Sequence, residues 1–345
     1  MRFLKGLIVF LLVLIVALIG VAFVLPSSAH VERSVTIARP ASEVFAVLNG
    51  YRRFNDWSPW AGKDSNAHYT ISGPAAGVGA KQSWVGDPKT VGSGSQEIIE
   101  SKANESVTVA LDFGDMGKAN ARFNLAADGP GTKVIWTLDT IAPLGIDGKI
   151  LWNAIGRYMG LFMDRMVGPD YEAGLAKLKV LVETFPNVDI SGINGEVVQL
   201  APRKIYFISA SSGTDAESAK AVLSVVYAKL GKYLQDNGLK MQGAPLTITT
   251  SYDANGWKFD AGVPVERNDA ATREDIQAGE TYAGRAAQFM HVGPYDKIGE
   301  TTTKAFAWLA VQGYKAQGRL IEDYVSDPGN TPPEQLQTRL TIPIE

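Results

Sequence analysis

A carboxylate and a phenol alternate on one predicted strand near the end of the chain. Residues 319–325 have the sequence RLIEDYV, a composition typical of a strand. Because successive side chains of a strand point to opposite faces, Glu322 and Tyr324 share one face with Leu320. A carboxylate beside aromatic rings, in a cleft sheltered from water, attracts cations more strongly than one in bulk water. The pattern therefore indicates a site for a positively charged ligand, the alternative being a carboxylate on a solvated strand.

Two more aromatic residues are candidates for the walls of such a cleft. Tyr295 follows a Gly-Pro turn and offers both a hydroxyl and a stacking face. Trp257 follows the segment DANG at 253–256, which is typical of a hairpin turn. Simple packing is the alternative for both residues. We predict that His291 packs or caps at the entry of a helix, rather than acting as a general base.

The composition excludes several classes of site. The 345 residues include no cysteine, which excludes disulfides, thiol nucleophiles and thiolate metal sites. Only three histidines occur, far apart in the sequence, so we expect neither a metal nor a cofactor. A net charge of −3 provides no basic surplus for binding nucleic acid without sequence preference. No Ser–His–Asp order and no phosphate-binding glycine pattern is evident.

The first element is long enough to cross a membrane. Gly6–Leu25 contains 20 residues without a charge, which as a helix spans the hydrocarbon core of about 30 Å. Arg2 and Lys5 precede it, so we predict a cytoplasmic N-terminus and an extracytoplasmic remainder of the chain. The alternative is a signal peptide that is cleaved before His30, which would give a secreted protein.

The first half of the soluble part combines strands with a long helix. Apolar residues alternate with polar ones in 107–113, 119–125 and 133–139, which predicts an antiparallel sheet with one buried face. Apolar residues then recur every three or four positions, which predicts a helix over roughly Asp147–Glu183 with a kink or break at Gly168-Pro169. Six residues are candidates for the lining of an apolar cavity, a filled core being the alternative: Trp84, Phe113, Phe123, Trp136, Phe162 and Met166.

This half resembles the START-like SRPBCC superfamily, near its polyketide cyclase/dehydrase branch. The resemblance rests on the strand 31–37, on RPASEVF at 39–45, on NDWSPW at 55–60 and on GTKV at 131–134. It implies a helix-grip fold with a hydrophobic ligand pocket and does not imply a particular reaction.

The second half contains an internal duplication. GLKMQG at 238–243 aligns with GYKAQG at 313–318, and VPV at 263–265 corresponds to IPI at 342–344. Each half has the order β-α-β-β, and two such halves usually pair about a pseudo-twofold axis with a ligand groove between them. The repeat mate of Glu322 is the uncharged Thr247, so the fold itself does not require a charge at this position.

The second half resembles the GyrI-like family, a small-molecule effector-binding domain. The resemblance rests on HVGPY at 291–295, on IEDY at 321–324 followed by Asp327-Pro328, and on LTIPI at 340–344. It implies a cleft for small, often cationic, amphipathic molecules, with recognition carried by a glutamate at the position of Glu322. It also implies an alternative, because some relatives are hydrolases that use a glutamate and a tyrosine, here Glu322 and Tyr324.

The sequence thus predicts an α+β protein: a transmembrane anchor at 6–25, a START-like domain at 31–183, a linker at 184–195 and a duplicated GyrI-like domain at 196–345. We expect a membrane-anchored extracytoplasmic protein that binds a small amphipathic or cationic molecule through Glu322, Tyr324, Tyr295 and Trp257, without nucleic acid. The alternatives are a hydrolase of a small reactive molecule and a lipid-binding envelope adaptor.

Overall fold

Two antiparallel sheets organise the chain, each in its own unit. The computed structural model describes residues 2–114, 117–141, 150–273 and 275–345. Met1–Asp189 form the first unit and Ile190–Glu345 the second, so the division falls inside the predicted linker 184–195. Each unit combines helices with one sheet, and the predicted α+β class is therefore confirmed.

The first unit begins with an apolar helix and continues with a seven-stranded sheet. The helices are α1 (Arg2–Ala22), α2 (Ala41–Leu48), α3 (Phe54–Trp57), α4 (Ile150–Gly160) and α5 (Met163–Glu183). The strands are β1 (Ser28–Ile37), β2 (His68–Ser72), β3 (Lys81–Val85), β4 (Ser93–Lys102), β5 (Ser106–Asp112), β6 (Lys118–Asp128) and β7 (Gly131–Ile141). Their order in the sheet is β1-β7-β6-β5-β4-β3-β2, with every neighbouring pair antiparallel.

Helix α1 has the length and composition of a membrane span. Phe3–Ala22 have a mean hydropathy of 2.9, and every residue from Phe3 to Leu18 is exposed in the structure. The helix begins at Arg2 and ends at Ala22, earlier at both ends than the predicted 6–25. An N-terminal helix of this kind serves either as a membrane anchor or as a signal sequence.

Aromatic rings fill the centre of the first unit. Trp136 of β7 stacks on Tyr171 of α5, with ring centroids 3.7 Å apart, and Phe123 of β6 stacks on Trp136 with ring centroids 5.0 Å apart. Trp57 meets the edges of Phe123 and Trp136. Phe123 and Trp136 therefore belong to a packed core, which was the alternative to their prediction as cavity lining. Phe162, another predicted lining residue, is 56% exposed.

The long helix is interrupted earlier than the sequence indicates. The structure separates α4 from α5 at Leu161-Phe162, where turn hydrogen bonds reach back three residues. Of the predicted kink or break at Gly168-Pro169, a break is wrong, because α5 continues through both residues. Pro169 lies inside α5, where the loss of one N–H donor is tolerated. The Arg33 guanidinium crosses the helix at Gly168, where an added Cβ would lie 2.1 Å from it and would force this side chain to shift. The predicted start at 147 lies outside the described residues.

A close approach at Gly174 gives a first testable prediction. A Cβ at this position of α5 would lie 2.9 Å from the Trp136 ring and 3.0 Å from the Pro59 ring. We expect Gly174→Ala to lower the free energy of unfolding by about 1–3 kcal/mol through overpacking. The control is Gly231→Ala in a helix of the second unit, where nothing lies within 4 Å of the added Cβ. That change should stabilise its helix by roughly 1 kcal/mol. Thermal unfolding of both variants checks this, and equal effects would contradict it.

The second unit is an eight-stranded sheet with two helices. The strands are β8 (Glu196–Leu200), β9 (Lys204–Ser212), β10 (Leu246–Asp253), β11 (Gly256–Pro264), β12 (Ile276–Glu280), β13 (Gly284–Val292), β14 (Ile321–Tyr324) and β15 (Gln337–Pro343). The helices are α6 (Ala216–Asp236) and α7 (Ile298–Gln312). The order in the sheet is β12-β9-β11-β10-β14-β15-β13-β8.

The strand register shows the duplication in atomic detail. The central strands β10 and β14 pair antiparallel with Thr247 opposite Glu322, which are the two residues that correspond in the repeats. The isolated bridges Met241–Val265 and Ala316–Ile344 correspond to each other in the same way. A pseudo-twofold axis therefore passes between Thr247 and Glu322, at the centre of the sheet.

Candidate functional site

An open cleft lies over the centre of the second sheet, between α6 and α7. Its volume is about 2100 Å³. Helix α6 contributes Leu223 and Tyr227 to its walls, and α7 contributes Ile298, Thr302 and Phe306. The floor comes from the two central strands, including Thr249, Glu322 and Tyr324. The duplication therefore creates the cleft where its two halves meet.

Glu322 is held in a short chain of hydrogen bonds on the floor of the cleft. The Tyr324 hydroxyl donates to Oε2 of Glu322 at 3.0 Å, and this hydroxyl lies 3.1 Å from Oγ1 of Thr247. Because the phenolic proton is directed to the carboxylate, Thr247 is left to donate to the phenolic oxygen. The uncharged repeat mate of Glu322 thus orients Tyr324, which in turn holds the carboxylate.

Burial changes the acidity of this carboxyl group. Glu322 is 8% exposed, and this burial raises its pKa from 4.5 to about 7, while the hydrogen bond from Tyr324 acts in the opposite direction. Within the described residues, no basic side chain forms an ion pair with Glu322. The carboxyl is therefore poised between its neutral and charged forms, and a cation placed beside it would shift it to the charged form.

Tyrosines surround the carboxylate. The rings of Tyr227 and Tyr295 meet the Tyr324 ring edge to face, with centroids 6.5 and 5.6 Å away. The Tyr227 hydroxyl donates to the Leu246 carbonyl at 2.8 Å, which fixes its ring against the floor. Burial raises the pKa of Tyr227, Tyr295 and Tyr324, so all three stay neutral at physiological pH. Aromatic faces and a carboxylate together are a chemically suitable cage for an organic cation.

Tyr227 is a site residue that the sequence interpretation missed. The most regular apolar spacing in the sequence of α6 is that of Leu223, Val226, Leu230 and Tyr233, and the last three of these pack in the core beneath the helix. Tyr227 lies four residues after Leu223, on a second stripe that faces the cleft. That four-residue spacing was the available signal, and it was hidden by the stronger core stripe next to it.

The structure brings all four predicted site residues to the walls of one cleft, although their role in ligand binding stays a prediction. Glu322, Tyr324 and Tyr295 form its centre. Trp257 lies at its side, packed on Phe259 with ring centroids 4.1 Å apart, and donates from Nε1 to Oγ1 of Thr249 at 3.0 Å. Trp257 therefore packs in the core and also forms part of the cleft wall.

His291 lies beneath the entry of α7 and does not line the cleft. Its Nε2 lies 3.1 Å from the Pro294 carbonyl, which can only accept, so Nε2 carries the proton. Nδ1 lies 2.8 Å from the Thr301 hydroxyl, within hydrogen-bond distance. Both ring nitrogens are therefore engaged in tying the end of β13 to the start of α7.

The rim carries charges of both signs. Asp215, Asp296 and Asp327 are exposed acidic residues along the walls, while Lys220 and Arg319 are exposed basic ones. Arg319 pairs with Asp260 at 3.2 Å. Because exposed charges are screened by water and salt, we expect them to contribute less to binding than the buried Glu322.

The role of Tyr324 gives a second prediction. Tyr324→Phe removes the hydrogen bond that favours the charged form of Glu322, so we expect the pKa of Glu322 to rise further above about 7. Tyr295→Phe is the matched control, because its hydroxyl makes no hydrogen bond to Glu322. NMR titration of carbon-13-labelled glutamate carboxyl groups measures this pKa. An unchanged value in Tyr324→Phe would contradict the proposed hydrogen bond.

Both halves of the chain match known domain families. Residues 28–183 match the polyketide cyclase/dehydrase and lipid transport family. Residues 194–345 match the GyrI-like small molecule binding domain. No curated protein is significantly similar to the chain.

Several solved structures are similar to parts of the chain at low identity. The C-terminal domain of EcmrR is 17% identical, with 45% of this chain and 98% of that domain covered and a TM-score of 0.40. A hydrolase from Listeria innocua is 17% identical, with coverages of 44% and 92% and a TM-score of 0.34. The Zhui aromatase/cyclase from a Streptomyces species is 18% identical, with coverages of 45% and 94% and a TM-score of 0.35.

The order of elements agrees with the two family matches. The first unit closes its antiparallel sheet with the long helix α5, and the second contains two β-α-β-β repeats around the cleft. The chain therefore joins, in this order, a domain of the polyketide cyclase/dehydrase and lipid transport family and a GyrI-like small molecule binding domain.

Proposed function

We propose that the cleft of the second unit binds a small amphipathic cation. The observation that carries the proposal is Glu322, a buried carboxyl held by Tyr324 and ringed by tyrosines, with no basic partner among the described residues. A cationic group beside Oε2 supplies the missing counter-charge, and the rings of Tyr227 and Tyr295 cover its apolar part. Leu223, Ile298 and Phe306 offer apolar contact to the rest of the ligand.

A hydrolase is the second candidate, favoured by one specific feature. The Glu322 carboxyl has a pKa of about 7 and lies 3.0 Å from the Tyr324 hydroxyl, a pair suited to proton transfer near neutral pH. Conversion of a reactive small molecule by the wild type, abolished in Glu322→Gln, would support this candidate over simple binding. The adaptor alternative needs lipid inside the first unit, whose centre is taken up by the Trp136–Tyr171 stack.

Matched probes test the binding proposal directly. The cation 4-(trimethylammonio)benzyl alcohol and its neutral analogue 4-tert-butylbenzyl alcohol have nearly the same shape and differ in charge. Calorimetric titration of each into the full chain in mild detergent at pH 8 should show clearly tighter binding of the cation. Equal affinity for both probes, or no binding of either, would contradict a cation site.

We further propose that α1 is an uncleaved anchor that leaves both units outside the cytoplasm. Arg2 and Lys5 flank its N-terminal end, which favours a cytoplasmic N-terminus. Contacts of the residues that cleavage would remove support retention, because Ala29, just before the alternative cleavage point, is buried and pairs with Thr140 in the sheet. Cleavage before His30 would remove the first two residues of β1.

Protease treatment of spheroplasts tests this topology. Protease outside intact spheroplasts of an expressing bacterium should degrade both units, while the untreated full chain stays with the membrane fraction. Recovery of a soluble chain that begins at His30 would instead establish the secreted form.

A further inference from the structure

Apolar side chains are exposed where α4 passes into α5. Trp152 is 72% exposed, although large apolar side chains are normally kept from water. The exposed residues, called here the α4–α5 patch, are Leu151, Trp152, Ile155, Met159, Phe162 and Met166. The sequence made Phe162 and Met166 candidates for a cavity lining, and the structure exposes both instead.

The patch has the pattern of an interfacial helix. Trp152, Ile155 and Met159 follow one another at spacings of three and four, so they share one face of α4. Between Ile150 and Met163 the single charged residue is Arg157. Its Nη1 donates to the Leu25 carbonyl at 2.7 Å, so it is tied down beside the end of α1. Tryptophan is enriched where a membrane meets water.

The contact between α4 and the end of α1 indicates how deep the α4–α5 patch would lie in a membrane. The Tyr158 hydroxyl of α4 donates to the Leu18 carbonyl at 2.7 Å, four residues before α1 ends at Ala22. At 1.5 Å per residue, this contact lies about 6 Å below the end of the helix. A span of 20 residues fills a hydrocarbon core of about 30 Å, so its end lies near the membrane boundary. Interfacial helices bury their apolar face by about 5–10 Å, which agrees with this depth.

We propose that the α4–α5 patch lies against the lipid bilayer, at the boundary between headgroups and acyl chains, and fixes the first unit on the membrane. The patch continues the exposed apolar surface of α1, so a single lipid phase covers both. The proposal rests on the proposed anchor and adds a second contact between the protein and the membrane. Such a contact orients the first unit relative to the lipid surface instead of leaving it on a flexible tether.

The absence of cysteine allows a test in the full chain. Single substitutions Trp152→Cys and Phe162→Cys, each carrying a nitroxide label, report on the patch. Val85→Cys is the control, because Val85 is an equally apolar residue that is 63% exposed on β3. Leu12→Cys reports on the middle of α1. Each labelled protein is reconstituted in vesicles of phosphatidylethanolamine and phosphatidylglycerol, and collisions with oxygen and with a water-soluble nickel complex are measured.

Labels at 152 and 162 should collide readily with oxygen and lose most collisions with the nickel complex, relative to the label at Val85. Nickel access equal to that at Val85, with Leu12 still shielded, would overturn the docking proposal and leave the anchor intact. Nickel access at Leu12 as well would overturn the anchor itself. Shielding of the patch from both reagents would show that protein covers it, which also contradicts the lipid assignment.

Discussion

Glu322→Gln is expected to weaken binding of the cationic probe by between about 30-fold and several thousandfold. Removing one member of a buried charge pair typically costs about 2–5 kcal/mol, much of it from the partner left unpaired. Glutamine keeps the shape of Glu322 and can still accept the hydrogen bond from Tyr324, so the change isolates the charge. Calorimetric titration at pH 8 measures the effect, since the wild-type carboxylate is then mostly charged.

Two controls separate charge from packing. The neutral tert-butyl analogue should lose little affinity in Glu322→Gln, because its contacts are apolar and aromatic. Asp296→Asn removes an exposed charge from the rim of the same cleft. It should weaken binding of the cationic probe by only a few-fold, because water and salt screen this exposed charge. Equal losses for the charged and neutral probes would show that Glu322 acts through packing and not through its charge.

The same substitution should stabilise the second unit above neutral pH. The pKa of Glu322 is raised in the folded protein, from 4.5 to about 7, so folding favours its protonated form. The stability that this proton provides is complete below pH 4.5 and is lost as the pH rises through 7. At ~1.4 kcal/mol per pH unit, the wild type carries a penalty of about 3 kcal/mol at pH 8. Glu322→Gln removes this penalty, so its gain should appear at pH 8 and vanish at pH 4.

Hydrogen exchange of peptides from residues 190–345 measures this local free energy of unfolding. The expected result is slower exchange around β14 in Glu322→Gln at pH 8, with wild-type behaviour in Asp296→Asn. Identical protection of wild type and Glu322→Gln at pH 8 would mean that the charged Glu322 does not destabilise the fold, which would contradict this prediction. A substitution that stabilises the fold while it weakens binding is typical of residues that serve binding and not folding.

The internal repeat allowed the site position of Glu322 to be predicted from the sequence. Period-2 alternation placed Glu322 and Tyr324 on one face, and the 75-residue alignment identified Thr247 as the mate of Glu322. The alignment did not reveal that these mates pair with each other, because register across a symmetry axis depends on how the two halves meet. The hydrogen-bonded chain from Thr247 through Tyr324 to Glu322 follows from that pairing.

Other features depended on long-range packing. Apolar residues recur every three or four positions through both α4 and α5, so the sequence predicted one long helix with a kink or break at Gly168-Pro169. In the structure Arg33 crosses α5 at Gly168, and the turn at Leu161-Phe162 directs α4 towards the end of α1. Periodicity identifies an apolar face and cannot say whether protein or lipid covers it.

Proton release during binding tests the cation site most directly. At pH 6 a carboxyl with a pKa of about 7 is mostly protonated, so binding of the trimethylammonium probe must displace its proton. Calorimetry in buffers of different ionisation enthalpy should show release of roughly 0.9 proton at pH 6 and roughly 0.1 at pH 8. The Gln variant should release none at either pH. Binding without proton release at pH 6, or equal release in the Gln variant, would contradict the assignment of Glu322 as the group that holds the cation.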